Sequence, residues 1–402
     1  MPGAAIVVFA LALAAYLLFS PRLAKSSDWS ATVTPLASIM GSGFLVSAPL
    51  LAGIVGNLAL FCMSALLVLA YLVGGVVRFN IRYFEPVEAD GHGPAQSIAF
   101  TSRLVLAGAY LISVSYYLQL LAAFVLSALG KDDQLIAHAI TSTLLVTIGV
   151  IGAWRGLAML EKVEKYAIGL NLGIIGALIA SLIVYNSGLL VTGEWALAPV
   201  SSVIDFADFR VLLGLLIVVQ GFETSRYLGA GHSAEQRIRT MRRAQLISSA
   251  IYLTFIGLVT VLFHDGLGAD VTAIIGMTRP VAVILPLLLA VAAIGSQFSA
   301  AVADNAGAGG LIEDITRHRL PIRYAYLLIL VITLAITWET DVNQIIAYAS
   351  RAFALYYFLQ GVVAVVMAYK LRQLPNRGLR LAGYLAVSLA CLLVFVLGLP
   401  AE

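Results

Sequence analysis

Three clusters in this chain carry residue types whose spacing suits the binding of a small solute or ion. The first is Ala37-Ser38-Ile39-Met40-Gly41-Ser42-Gly43-Phe44-Leu45-Val46, where two glycines and a serine sit inside an apolar run. Each glycine costs ~1 kcal/mol of helix propensity against alanine, and in lipid every freed backbone group needs a partner in the protein or in a water-filled cavity. An interruption at that depth points to a binding site; close packing of two helices through small residues is the competing reading. Gly41 and Gly43 are separated by one residue and do not share a helix face, which favours the site. The second cluster, Val219-Gln220-Gly221-Phe222-Glu223-Thr224, sets a glycine beside a carboxylate in another apolar run. An intramembrane carboxylate is costly, so Glu223 is a candidate for binding a cationic group or carrying a proton, the alternative being an ion pair with Arg226. The third is Ser296, Ser299, Ala300, Ala303 and Asp304, which fall on one face of a helix and are followed by Asn305. That small-residue run also fits a tight packing face.

The elements that must hold these residues are membrane helices. The chain has 402 residues, 61% hydrophobic and 11% charged, with a mean hydropathy of +0.98, which excludes an ordinary soluble domain. Apolar runs predict twelve spans near 4–20, 32–54, 56–78, 98–128, 134–153, 163–186, 207–230, 241–264, 280–312, 322–338, 342–370 and 379–399. All Lys and Arg except Lys131, Arg210, Arg279 and Arg351 fall in alternate loops, which the positive-inside rule places in the cytoplasm, with both termini outside. The first span is expected to be retained, because its basic residues Arg22 and Lys25 follow it rather than precede it. Cys62 and Cys391 lie in apolar runs, so neither a disulfide framework nor a metal-ligand cluster is expected. The sequence contains no GxxxxGK[ST] loop, which argues against ATP as a partner.

Setting aside the first and last spans, 32–186 and 207–370 each contain five expected crossings, and each opens with one of the glycine-bearing runs. Five is odd, so the second set is inserted upside down relative to the first, as in the inverted repeats of secondary transporters. The expected organisation is an extra helix and loop in 1–31, the first repeat in 32–186, an outer connection in 187–206, the second repeat in 207–370 and a last helix in 371–402.

Gly41-Ser42-Gly43-Phe44-Leu45, together with Gln220-Gly221-Phe222-Glu223-Thr224-Ser225-Arg226-Tyr227, resembles the amino acid/polyamine/organocation superfamily, whose members share the fold of the bacterial leucine transporter. The likeness covers about 340 residues as an architecture, and Phe44-Leu45 departs from the commoner Ile-Phe pair. It implies an all-α membrane protein in which the first helix of each repeat is discontinuous. It further implies that the backbone at Gly41, Ser42 and Gly43, with the Ser42 hydroxyl, and the run Gln220, Gly221 and Glu223 contact substrate. A tyrosine on the fourth span, Tyr116 or Tyr117 near Ser113 and Gln119, is expected to cap it; packing is the alternative. In sodium-coupled relatives, hydroxyls of the ninth span and carbonyls at the first break hold the ion. Ser296 and Ser299 with the Ile39 carbonyl are therefore the expected Na⁺ ligands, with Asp304 as a further ligand or proton carrier. Asn171 falls where some proton-coupled relatives have a lysine, while Lys162 and Lys165 belong to a loop.

The resemblance implies a secondary transporter of the cytoplasmic membrane, an amino-acid permease of symporter type. It would move an amino acid or similar small organic solute by alternating access, coupled to Na⁺ or H⁺, with no other cofactor, no nucleic acid partner and no enzymatic activity. A nucleobase or inorganic-ion carrier on the same fold, or a non-transporting receptor or channel, are the alternatives. The loop 233–243 carries Arg237, Arg239, Arg242 and Arg243 and is expected in the cytoplasm. A cysteine replacing Ser233 should therefore resist impermeant thiol reagents added outside whole cells, and rapid labelling would reverse the topology.

Overall fold

The computed structural model describes residues 3–88, 92–131, 133–200, 203–229, 231–267 and 270–401, without the side chains of 24, 42 and 158–165. Its long helices are α1 (Gly3–Phe19), α2 (Ser27–Val55), α3 (Ala59–Tyr83), α4 (Pro94–Ala128), α5 (Gln134–Arg155) and α6 (Ala158–Thr192). They continue with the short α7 (Phe206–Gly214), then α8 (Ala234–Val259), α9 (Leu285–Ile315), α10 (Ile322–Glu339), α11 (Val342–Lys370) and α12 (Arg377–Leu397). No strand occurs among the described residues.

Local chemistry sets the helix starts. Ser26 caps α2 by accepting from Trp29 N at 3.1 Å, Ser233 caps α8 through Gln236 N at 3.3 Å, and Asp341 with Gln344 forms a capping box on α11. Among the described residues, ten helical stretches are long and apolar enough to cross a membrane. One of them, Ser27–Tyr83, comprises α2, a 3₁₀ turn and α3. The turn opens with Gly56, whose φ of 53° favours glycine. Ion pairs show that the chain reverses there. Asp28, at the start of α2, meets Arg239 and Arg243 of α8, and the Tyr252 hydroxyl lies 3.2 Å from the Ile39 carbonyl further along both helices. Arg82, at the end of α3, meets Glu235 at the start of α8, while Gln245 reaches back to the Ala70 carbonyl. Helix α8 thus runs with α2 and against α3.

The expected interruption at 37–46 is corrected by the structure, because α2 is helical without a break from Ser27 to Val55. Only the second glycine-bearing run is broken. After α7 the chain makes a 3₁₀ turn over Leu216–Val219, passes through extended Gln220 and Gly221 with φ 117°, and continues as a second 3₁₀ stretch, Phe222–Leu228. Gly43 of α2, and Gly221 in the break itself, serve the close approach of the two segments. A Cβ on Gly43 would lie 2.6 Å from the Val218 Cα, and one on Gly221 would lie 2.5 Å from Ser38 Oγ. An unbroken helix satisfies its own backbone groups, so only one of two touching segments needs outside partners.

At the ends of the assembly two outlying helices are also tied in. Helix α1 lies against α6 through Gly169, Gly173 and Gly176, where added Cβ atoms would stand 2.4–2.5 Å from Leu18, Ala10 and Leu13. At the far end of α12, Arg351 donates to the Phe395 carbonyl at 2.7 Å and Arg210 to the Leu397 carbonyl at 3.1 Å. Two of the arginines outside the basic loops therefore satisfy last-turn carbonyls, where a cation is favoured.

Because the Gly43 contact is with backbone that cannot swing away, Gly43→Ala should destabilise by roughly 1–3 kcal/mol through overpacking. Gly188→Ala, which would meet nothing within 4 Å, is the control. In thermal unfolding followed by fluorescence, the melting temperature should fall for Gly43→Ala only; equal values would mean that α2 does not press on the broken segment.

Candidate functional site

The break between α7 and Leu228 frees backbone groups in an apolar interior, and side chains partner several of them. Ser350 Oγ accepts from Ile217 N at 2.9 Å, and the Tyr252 hydroxyl donates to the Val218 carbonyl. Glu223 accepts from Gly221 N at 3.0 Å and from the Tyr357 hydroxyl at 2.7 Å, while Thr224 Oγ1 donates to the Gly221 carbonyl at 2.7 Å. Glu223, only 1% exposed, therefore caps the break in its own segment. The alternative pairing with Arg226 does not form. Arg226 lies 3.0 Å from Glu88 and 3.6 Å from Glu85, and donates to Gln360 Oε1 at 2.7 Å. Arg237 completes the cluster, 2.7 Å from Glu85.

Beside this cluster opens a cavity of about 1050 Å³, walled by α1, α2, α4, α6, α9 and the segment Thr224–Leu228. Glu85, Glu88, Arg103, Arg226 and Asp314 lie at its charged end. A narrow chamber of about 40 Å³ adjoins it, sharing Thr34, Ile168, Leu172, Thr224, Ala303 and Asp304 with the large cavity. The chamber adds Ser38, Asn171, Ser296, Ser299 and Ala300. Its polar side chains are hydroxyls, one amide and one carboxylate, a donor and acceptor set suited to a small polar group or a hard cation. Ser113, on α4, donates a hydrogen bond to Asp304 Oδ2 and so orients that carboxylate.

All five members of the ninth-span face, Ser296, Ser299, Ala300, Ala303 and Asp304, line the chamber, and so does Asn171. The other expected contacts lie elsewhere. Gly41 packs towards the Ser296 carbonyl and Ala300, its own carbonyl accepting from Gln297 Nε2 at 2.9 Å, and Gly43 packs on Val218. Ser38 and Thr34, about one and two turns before Gly41, and Thr224, just after Glu223, supply the lining instead. Gly221 and Glu223 stay within the break, as does Gln220, whose Nε2 donates to the Tyr117 hydroxyl at 3.2 Å. Tyr116 and Tyr117 are packed in the core; the α4 tyrosine that lines the cavity is Tyr110, seven residues before Tyr117 and so close to the same helix face, and Tyr227 lines it from the segment after the break. The Ile39 carbonyl faces Tyr252, and Ile39 is not part of the chamber wall. The side chains of Ser42, Lys162 and Lys165 lie outside the described residues. Among the described residues, no three His, Cys, Asp or Glu side chains converge to hold a metal ion.

Comparison with known proteins adds the family. A profile described as APC superfamily transporter matches residues 21–398, nearly the whole chain. The chain belongs to the APC superfamily of transporters. Among its relatives in this superfamily is an "Uncharacterized protein" of Aquifex aeolicus (strain VF5), 42% identical over 364 residues that cover 88% of each chain. Similar solved structures include the Eremococcus coleocola manganese transporter in complex with an aromatic bis-isothiourea substituted compound. It has a TM-score of 0.57 and 13% identity, covering 92% of this chain and 87% of that one. A histidine-to-alanine mutant of the same transporter has a TM-score of 0.57 at 14% identity, with the same coverage. At these identities the likeness is one of fold. The APC superfamily membership makes the chain a membrane transporter of a small solute.

Removing the Glu223 carboxylate leaves two buried donors without their acceptor, a loss on the order of 1–3 kcal/mol. Glu223→Ala should lower the melting temperature of the purified protein, Tyr357→Phe should lower it less, and the double variant should fall short of the sum because the two share one hydrogen bond. Additive losses would mean that the two side chains act independently.

Proposed function

We propose that the protein is a secondary active transporter in which twelve spans form a five-plus-five inverted repeat flanked by α1 and α12. It carries an amino acid or similar small organic solute across the cytoplasmic membrane by alternating access, in symport with Na⁺ or H⁺. The observation that carries this reading is the large cavity that adjoins the narrow Ser296, Ser299, Asn171 and Asp304 chamber. A solute site reached through a vestibule beside a broken helix is the arrangement that alternating access uses. The charged end of the cavity belongs to the face that the basic loops assign to the cytoplasm, so this conformation is the inward-facing one. Family membership supports a solute carrier over a receptor or channel, and the oxygen-rich chamber supports a coupling site at α9.

In reconstituted vesicles, a sodium gradient and a pH gradient imposed one at a time separate the two coupling modes. If Asp304 carries a proton, Asp304→Asn abolishes pH-driven uptake and spares solute exchange, which needs no net proton movement. If the chamber binds sodium, Ser299→Ala weakens the sodium dependence of solute binding and leaves sodium-free binding little changed, since linkage transmits only the ion's own contribution. Uptake that follows neither gradient, with Asp304→Asn matching wild type in both, contradicts coupling at this face.

A further inference from the structure

The vestibule has a wall that the ten-helix repeat does not supply. Leu17 and Leu18 of α1 line the large cavity, joined by Leu23, Val33 and Leu172 into an apolar stretch, while Asp304 and Thr224 mark its polar depth. Helix α1 precedes the residues matched by the family profile, which begin at 21. Elsewhere α1 is a lipid-facing helix: Leu11 is 55% exposed on the outside of the assembly and does not line the cavity. Leu17 and Leu18 are half-buried and turned to the vestibule, and Leu18 is held there by its contact over Gly169. Leucine side chains facing an aqueous vestibule leave apolar surface wet at about 25 cal/mol per Å², which a bound apolar group would relieve. Glu85, Glu88 and Asp314 are engaged in ion pairs with Arg226, Arg237 and Arg103, so the carboxylate at the polar depth of the cavity is Asp304, which accepts from Ser113.

We propose that α1 is a specificity wall, in which Leu17 and Leu18 receive the apolar side group of the solute while its polar, cation-bearing end is held towards Asp304. Resting on the transport reading above, this narrows the substrate class to small zwitterions or cations with a compact apolar group. A wall of this kind discriminates by contact area, and one methylene in an apolar pocket is worth roughly a 10–200-fold preference.

The test uses the full-length protein in vesicles with radiolabelled leucine, phenylalanine, serine and lysine. Wild type should take up leucine or phenylalanine at least about tenfold faster than serine. Leu17→Trp, which fills the wall, should remove most of that preference, while the lipid-side control Leu11→Trp keeps the wild-type pattern. Uptake of serine or lysine without leucine or phenylalanine, or a preference unmoved by Leu17→Trp, overturns the inference and leaves the transport reading standing. Uptake of none of the four withdraws the amino-acid reading and this inference with it. A second readout needs no solute. In permeabilised membranes, Leu17→Cys should react with a cationic methanethiosulfonate while Leu11→Cys does not, and an unreactive Leu17→Cys overturns the wall whatever the uptake shows.

Discussion

An apolar interior does not forgive a broken backbone, and the arrangement around residues 215–228 follows from that constraint. The break exposes N–H and C=O groups that a helix would have paired internally. Ser350, Tyr252, Glu223 and Thr224 partner several of them, coming from α11, from α8 and from the break itself, and Tyr357 of α11 donates to the Glu223 carboxylate that does so. Glu223 is held in place by this duty. The helix facing the break stays intact and glycine-bearing, so that the irregular segment can lie against it at Ser38 and Gly43. One broken element against one continuous one needs half the external partners that two breaks would.

Two further sets of polar groups border the cavity. One is the cluster of Glu85, Glu88, Arg226 and Arg237 with Gln360, which ties the segment after the break to the ends of α3, α8 and α11. Charges buried in this way are stable only when each meets a counter-charge or a hydrogen-bond partner, so the cluster acts as a unit. The other set is the stripe along α9 from Ser296 to Asp304, which lines the narrow chamber. A vestibule bounded by an ion-pair cluster at its mouth and a carboxylate at its depth has the elements of a gated site: pairs that can separate and a polar end that can bind.

Much of this was legible in the residues. Helical spacing alone identifies the α9 stripe, because small and polar side chains every third or fourth residue on an apolar helix need a common explanation. The glycine and carboxylate at Gly221 and Glu223 likewise mark the true break. The same logic misreads Gly41 and Gly43: glycine signals either a broken backbone or a close neighbour, and the neighbour of Gly43 is Val218, 175 positions away in the chain, while that of Gly41 is Ala300 on α9. Tyr116 and Tyr117 look as suitable for solute contact as Tyr110 until the depth of the cavity along α4 is known, because Tyr110 and Tyr117 share a helix face and only Tyr110 is level with the cavity. The role of α1 was hidden for a related reason, since nothing in a uniformly apolar 17-residue helix distinguishes leucines facing lipid from leucines facing a cavity.

The central claim is that the vestibule between α2 and α9 opens and closes around the Asp304 chamber. Spin labels on cysteines replacing Ser30 and Gly310, two exposed positions on opposite helices of the cavity lining, report that opening directly by pulsed electron resonance. The account predicts two distance populations whose ratio shifts when a transported solute or its coupling ion is added. A single narrow distance, unmoved by any solute that the reconstituted protein carries, would contradict it.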